Sequence, residues 1–421
     1  MRTSTLVSVV VASVLLLYST SAFGQGVMLR AVGAVNESMG STATACPLDA
    51  AGAINWNPAS ISALEKNEMS FGLGIIMPKS VVSSSMEHPD LGPISGSTEG
   101  RTGAIPAPTM ALVWRPSPKS RLTYGLGMGA VGGAATLYPA DDPNKPINER
   151  NPVLEGISKS STVVILQVTP TVSYKVSDRL SVGFAPIVDI AGLTLNPMQL
   201  GQGQHHQVHN YGTRYAWGAG FQMGAYYDFK NHFKTGFMFK SPVWAESLRY
   251  HGTFVNDGTP ANGAFNLNLP MTLSAGISYD GFRNTVLALD IRYFDYANTN
   301  GFRTGLSPTG VVEGLDWNSI VSVAMGVERT LSKKLKVRMG YCFNENPVPS
   351  RSAFLNVSAP LTIMHALSFG ATYAITKDFE ANVAYSHGFK ARAAGMTPDA
   401  VTYVSNESRA NLLLAGFTKR W

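Results

Sequence analysis

The sequence predicts an all-β membrane protein: a 14-stranded antiparallel outer-membrane β-barrel with a small N-terminal plug, or hatch, in its lumen. Three observations predict it. Apolar and polar residues alternate along many short segments. The connections between those segments are alternately short and long. The last segment closes the chain on an aromatic residue, Trp421.

The first element is a leader. Arg2 is followed by an apolar run from Leu6 to Leu17 and by small residues up to Ala22-Phe23-Gly24. A positive start, a short apolar stretch and a small-residue cleavage site make a secretory signal peptide, expected over residues 1–24. The run is too short for a comfortable membrane helix, and no cysteine follows the site to carry a lipid. Composition then narrows the class. Only 14% of the 421 residues are charged, against about 25% in ordinary soluble domains, while glycine numbers 41 and aromatics reach 10%. A secreted chain with these features and no further apolar run of about 18 residues suits a barrel that crosses with strands. The net charge of +6 is dispersed and does not argue for nucleic acid.

The strands come next, over residues 67–421. In "HFKTGFMFKS" Phe233, Phe237 and Phe239 share one face, opposite Lys234 and Lys240. In "LKVRMGYCFN" Leu335, Val337, Met339, Tyr341 and Phe343 alternate with Lys336, Arg338 and Cys342. The same period places strands near 67–77, 107–115, 120–131, 161–175, 179–191, 211–228, 232–241, 267–279, 284–296, 318–330, 335–346, 362–375, 379–390 and 408–421. Between them, short turns such as Val176–Asp178 and Thr376–Asp378 alternate with long loops such as 78–106 and 132–160. A soluble sandwich mixes loop lengths at both ends, whereas an outer-membrane barrel sorts them. On the closing strand Leu413, Ala415 and Phe417 share a face that Lys419 interrupts, its ammonium free to snorkel to the interface.

Residues 25–66 precede the first strand and are rich in Gly, Ala and Ser, which lets short helices pack closely. Asn57 suits an N-cap for "PASISAL" and Pro58 the first position of that helix. Trp56 is expected to fill lumen space, its indole N–H on a polar wall group. Arg30-Ala31-Val32-Gly33, Asp49 and Asn57-Pro58-Ala59 together resemble the plug segment of the FadL/TodX family, outer-membrane transporters of long-chain fatty acids and hydrocarbons. "GFMFKSPV" (Gly236–Val243) and "VRMGYCFNENPVP" (Val337–Pro349) are similar to family segments too. Cys46 and Lys419 depart from the pattern, and no motif transfers ligand-contacting residues. The resemblance implies a non-enzymatic transporter without cofactor, probing outer-membrane lipid on one side and a hydrophobic small molecule on the other, and acting as a monomer.

Several further residues are candidates. Gly132 and Gly133, at the end of "GLGMGAVGG", permit a bend in the third strand. That bend either marks a lateral exit, as the family's kinked third strand implies, or merely starts the second long loop. Strand parity turns Asp290, Arg292, Glu328, Lys336, Arg338 and Glu380 inward, where they pair with one another, hold the plug or meet a ligand carboxylate through Arg292, Lys336 or Arg338. A Cys46–Cys342 bond would staple plug to wall if the two approach closely enough. "GMGAVG" (127–132) lacks the following helix that nucleotide binding needs. His205, His206 and His209 form a polar loop rather than a metal site, which would need a fourth ligand. The expected function is passive uptake of fatty acids or aromatic hydrocarbons. A diffusion porin for polar solutes and a surface adhesin or receptor are the alternatives.

Overall fold

The computed structural model describes residues 25–154, 156–199, 207–210, 212–308 and 311–421. The predicted leader, His205 and His206 lie outside them. Fourteen antiparallel strands form one closed ring: β1 (Glu68–His88), β2 (Ile105–Trp114), β3 (Leu122–Tyr138), β4 (Lys159–Lys175), β5 (Leu180–Asn196), β6 (Arg214–Asp228), β7 (Phe233–Lys240), β8 (Thr272–Phe282), β9 (Thr285–Phe294), β10 (Ile320–Thr330), β11 (Leu335–Asn344), β12 (His365–Ala374), β13 (Phe379–Met396) and β14 (Thr402–Arg420). Each strand pairs with the next. The ring closes between β1 and β14, in register from Glu68↔Arg420 to Met86↔Thr402.

The ring is built inside out relative to a soluble domain. Outward residues such as Phe71, Phe237, Ile291, Val383 and Phe417 are large, apolar and exposed, as a lipid-facing belt requires. Inward residues such as Ser173, Asp290, Arg292, Ser322 and Thr372 are polar and buried. What buries them is the N-terminal segment, which carries α1 (Ala34–Ser38), α2 (Ala50–Trp56) and a 3₁₀ turn (Pro58–Ala63). It hydrogen-bonds around the lumen. Asn57 Nδ2 reaches the Ala225 carbonyl on β6 (3.0 Å), Thr44 N the Asp290 carboxylate on β9 (3.0 Å), and Arg30 Nη2 the Ser386 hydroxyl on β13 (3.2 Å). Inward glycines admit its backbone. A β-carbon on Gly340 of β11 would overlap the Gly40 nitrogen, and one on Gly236 of β7 the Thr44 carbonyl.

Three expectations need correcting. First, β1 runs on from Met77 to His88 and pairs there with a hairpin strand, Gly92–Glu99. Beyond Met77 its outward positions are mostly polar (Lys79, Ser83 and Ser85, with Val81 between them), so the apolar alternation stops while the ladder continues. Second, the loop expected from residue 132 is strand. β3 continues through Gly132 and Gly133 to Tyr138, paired to β4 throughout, with a register shift between Ala130 and Gly132. Third, Cys46 and Cys342 are both free. Cys46 packs with Met39 and Ala288, while the Cys342 thiol lies 3.7 Å from Ser322 Oγ.

Candidate functional site

The site begins where β2 and β3 part. They pair only from Thr109↔Gly129 to Trp114↔Tyr124, although β2 stays with β1 as far as Ile105↔Ile76. The sequence "IPAPT" explains this. Pro106 and Pro108 have no N–H. In an antiparallel strand, alternate residues turn both backbone groups to the same neighbour. The ladder to β1 persists across 105–108, so its donors are those of Ala107 and its odd-numbered neighbours. The two missing donors therefore fall on the side facing β3, and that edge of β2 cannot continue the sheet.

The N-terminal segment takes the vacated edge. Met28 bridges Gly132 in antiparallel fashion. Leu29 N donates to the Val131 carbonyl (2.8 Å) and Gly133 N to the Val27 carbonyl (3.0 Å). A β-carbon on Gly132 would meet Ile165 Cδ1 at 2.9 Å and that same Val27 carbonyl at 3.0 Å, so the close approach favours glycine here.

Beside this patch lies a cavity of about 170 Å³. Met28, Leu29, Ile76, Ile105, Leu361 and Leu412 give it mostly apolar walls. Arg30 and Glu37 also border it and form an ion pair at 3.5 Å. A second cavity, of about 100 Å³, lies towards the long loops against Leu195, Phe265, Phe302 and Trp317. The two share Ala134, Val163 and Leu361. Val27 borders the second and Met28 the first, so the N-terminal segment stands between them.

The rest of the N-terminal segment is held by buried polar contacts. Asn57 Oδ1 accepts from Ala59 N (3.0 Å) and its amide donates to the Thr44 carbonyl (2.7 Å). Pro58 opens the 3₁₀ turn, and the Ala59 carbonyl accepts from Ser173 (2.9 Å). The Trp56 indole N–H goes to Asn36 of the same segment (3.2 Å) and not to the wall. The wall reaches Trp56 differently, with the Arg292 guanidinium 3.5 Å above the ring. Arg292 also binds Asp290 (2.7 Å) and the Ser41 carbonyl (2.6 Å), while Arg338 binds Glu328 (2.7 Å) and Thr372 (2.8 Å). Neither borders either cavity, nor does Lys336. His209 lies 3.1 Å from Asn196 Oδ1.

Asp49 anchors the N-terminus of α2, its carboxylate accepting from Gly52 N at 3.2 Å. Glu68 accepts from Ala50 N (2.7 Å) and binds Arg420 (2.8 Å), which also pairs with Glu380. Burial, and then the Glu68 charge, push the Asp49 carboxyl up to about 7. Burial likewise raises the Cys46 thiol, leaving it unreactive. An aspartate before "AAGAINW" is a helix-start signal that points to this cap. The pairing of Val27–Leu29 with β3 had no such signal, because three residues show no period.

Comparison with known proteins identifies the architecture. The model of the family described as outer membrane protein transport protein (OMPP1/FadL/TodX) matches residues 15–418. The chain belongs to the FadL/TodX family. It is thus an outer membrane protein of a transport family, not an enzyme. No curated protein matches the chain in sequence. Among solved structures, the fold is similar to the Pseudomonas putida toluene transporter TodX (TM-score 0.69, 17% identity, 93% of this chain and 99% of that one). It is also similar to a Pseudomonas aeruginosa FadL homologue (TM-score 0.72, 13% identity, 94% and 99%) and to the Ralstonia pickettii toluene transporter TbuX (TM-score 0.64, 18% identity, 93% and 99%).

Proposed function

We propose that this FadL/TodX member takes up a hydrophobic small molecule, a fatty acid or an aromatic hydrocarbon, by passive diffusion as a monomer. Residues 25–66 act as its hatch. The ligand enters from the loop side through the smaller cavity and dwells in the larger. It leaves sideways into the membrane between β2 and β3 once Val27–Leu29 release β3. The carrying observation is the coincidence of the prolines, the vacated edge of β3 and an apolar cavity at one place. A side exit suits such a ligand, because every CH₂ kept out of water is worth about 0.8 kcal/mol. A watery path down the lumen would forfeit that, and the hatch fills that path with buried polar contacts. The solved relatives named as toluene transporters support the ligand class.

Pro106→Thr with Pro108→Thr restores two donors facing β3. The expected result is a barrel that inserts normally, still binds ligand and takes it up several-fold more slowly. Undiminished uptake by the inserted double variant would exclude this exit and leave a route down the lumen.

A further inference from the structure

Four basic side chains stand exposed on the outer surface of three adjacent strands: Lys79 on β1, Lys390 and Arg392 on β13, and Arg409 on β14. Register brings them to one height. Lys79 lies directly opposite Arg409 across the β1–β14 closure. Arg392 lies opposite Glu407, two residues along β14 from Arg409, and Lys390 sits in the bulge between Gly388 and Ala391. By the same alternation, the other eleven strands turn no Lys or Arg outward in their long-loop halves among the described residues. The four are scattered over more than 300 residues of sequence, and only the closure of the ring assembles them.

Their internal partners leave positive charge over. Glu407 takes Lys390 at 2.5 Å. Arg392 donates to neutral oxygens, Ser405 Oγ at 2.6 Å and the Tyr403 hydroxyl at 3.1 Å. Lys79 and Arg409 have no acidic partner among the described residues. Like charges directly opposite on neighbouring strands repel and destabilise the sheet, so this arrangement calls for an external anion. Height says which. Below the row lie the lipid-facing Phe71, Leu73 and Met77 on β1, Val383 and Tyr385 on β13, and Leu413 and Phe417 on β14. Between belt and row, Asn411 accepts from the Tyr385 hydroxyl (2.9 Å) and lies 2.7 Å from His387 Nδ1, an interfacial polar rung. The cations therefore stand at headgroup level of the outer leaflet.

We propose that the outer face of β13, β14 and β1 is a docking site for the phosphorylated headgroup of an outer-leaflet glycolipid. Lys79 and Arg409 together take one phosphate, and Arg392 with Lys390 faces a second. Arginine beside lysine suits this role, since the guanidinium offers paired donors to phosphate oxygens and the ammonium a compact charge. The acyl chains then run down Met77 and Leu413. Lys79 and Arg409 also border the larger cavity, but their side chains are exposed on the outer surface, and the site needs only the orientation of the barrel in its membrane.

The test uses the full mature protein refolded in a non-ionic detergent, with lipid A carrying both phosphates as the probe and bound lipid counted by native mass spectrometry. The wild type should retain one lipid A. Lys79→Gln with Arg409→Gln should weaken retention about thirtyfold, at about one kcal/mol for each cation removed. Lys419→Gln, outward at the short-turn end, should change nothing. Dephosphorylated lipid A should bind the wild type no better than intact lipid A binds the double variant. Equal retention of phosphorylated and dephosphorylated lipid, or full retention by the double variant, overturns the proposal. Competition by millimolar inorganic phosphate as effective as that by lipid A also overturns it, since a lipid seat must use its chains. Heat-modifiable migration checks folding. Should the double variant misfold, Lys79→Gln alone, expected about fivefold weaker, decides in the same way.

Discussion

At the scale of the residue, Asp49 concentrates the tension in the hatch. It caps α2, which favours its charge, yet it is buried next to Glu68 in a group completed by Arg420, Glu380 and Arg338. Its carboxyl keeps its proton up to about pH 7 in the folded protein, whereas an unfolded aspartate loses it near 4. Between those values the docked hatch holds more protons than the released one. Its stability is therefore greatest in acid, falls as pH rises through that window and levels off above it, by on the order of 4 kcal/mol in all. Asp49→Asn keeps a capping side chain and removes the titration. Hydrogen exchange at residues 50–56, corrected for intrinsic rates, should show protection falling from pH 5 to 8 more steeply in the wild type than in the variant. A level wild-type profile would contradict this account.

At the scale of the element, hatch and wall fit through missing side chains. Gly340 on β11 is inward-facing with the Met39–Gly40 turn against it. Gly340→Val should displace that turn while leaving the outward face of β11 and its pairing with β10 and β12 untouched. The expected phenotype is a barrel that folds and inserts but conducts ions more readily in planar bilayers. Wild-type conductance from such a barrel would mean that the turn does not seal the lumen. The same elements show what the sequence reveals. Strands with one face in lipid announce themselves by period, which is why β7, β11 and β13 were legible. The upper part of β1 and the end of β3 were not. Outward positions there are mostly small or polar, while Val82 and Tyr138 turn to an internal apolar cluster with Leu154 and Val404, so the ladder persists without a lipid-facing period. The cap at Asn57 and the place of Pro58 at the start of the 3₁₀ turn were legible through capping chemistry. The fates of Arg292 and Arg338 were not, because parity tells only that a side chain points inward, never what meets it there.

At the scale of the whole molecule, one ring carries three different surfaces. An apolar belt faces lipid, a polar lumen holds the N-terminal segment, and an apolar cavity interrupts that lumen where β2 and β3 separate. The prolines of "IPAPT" read as an ordinary weak strand until the neighbour they fail to hold is known. Likewise the dispersed net charge of +6 hides a row of four cations, because sequence distance says nothing about which strands meet when a sheet closes.

The extension of β1 has a further consequence. From Lys79 to His88 it adds ten residues beyond the belt, which at about 3.3 Å each and a tilt near 40° lifts the Asp90–Leu91 turn about 25 Å above the lipid. The turn is exposed, with Leu91 at 48%, and the two-stranded shaft beneath it carries six serines. The proposed route between β2 and β3 does not reach this tip. A short epitope inserted after Leu91 should be stained on intact cells without loss of uptake; staining only after permeabilisation would place this end of the barrel on the opposite side of the membrane.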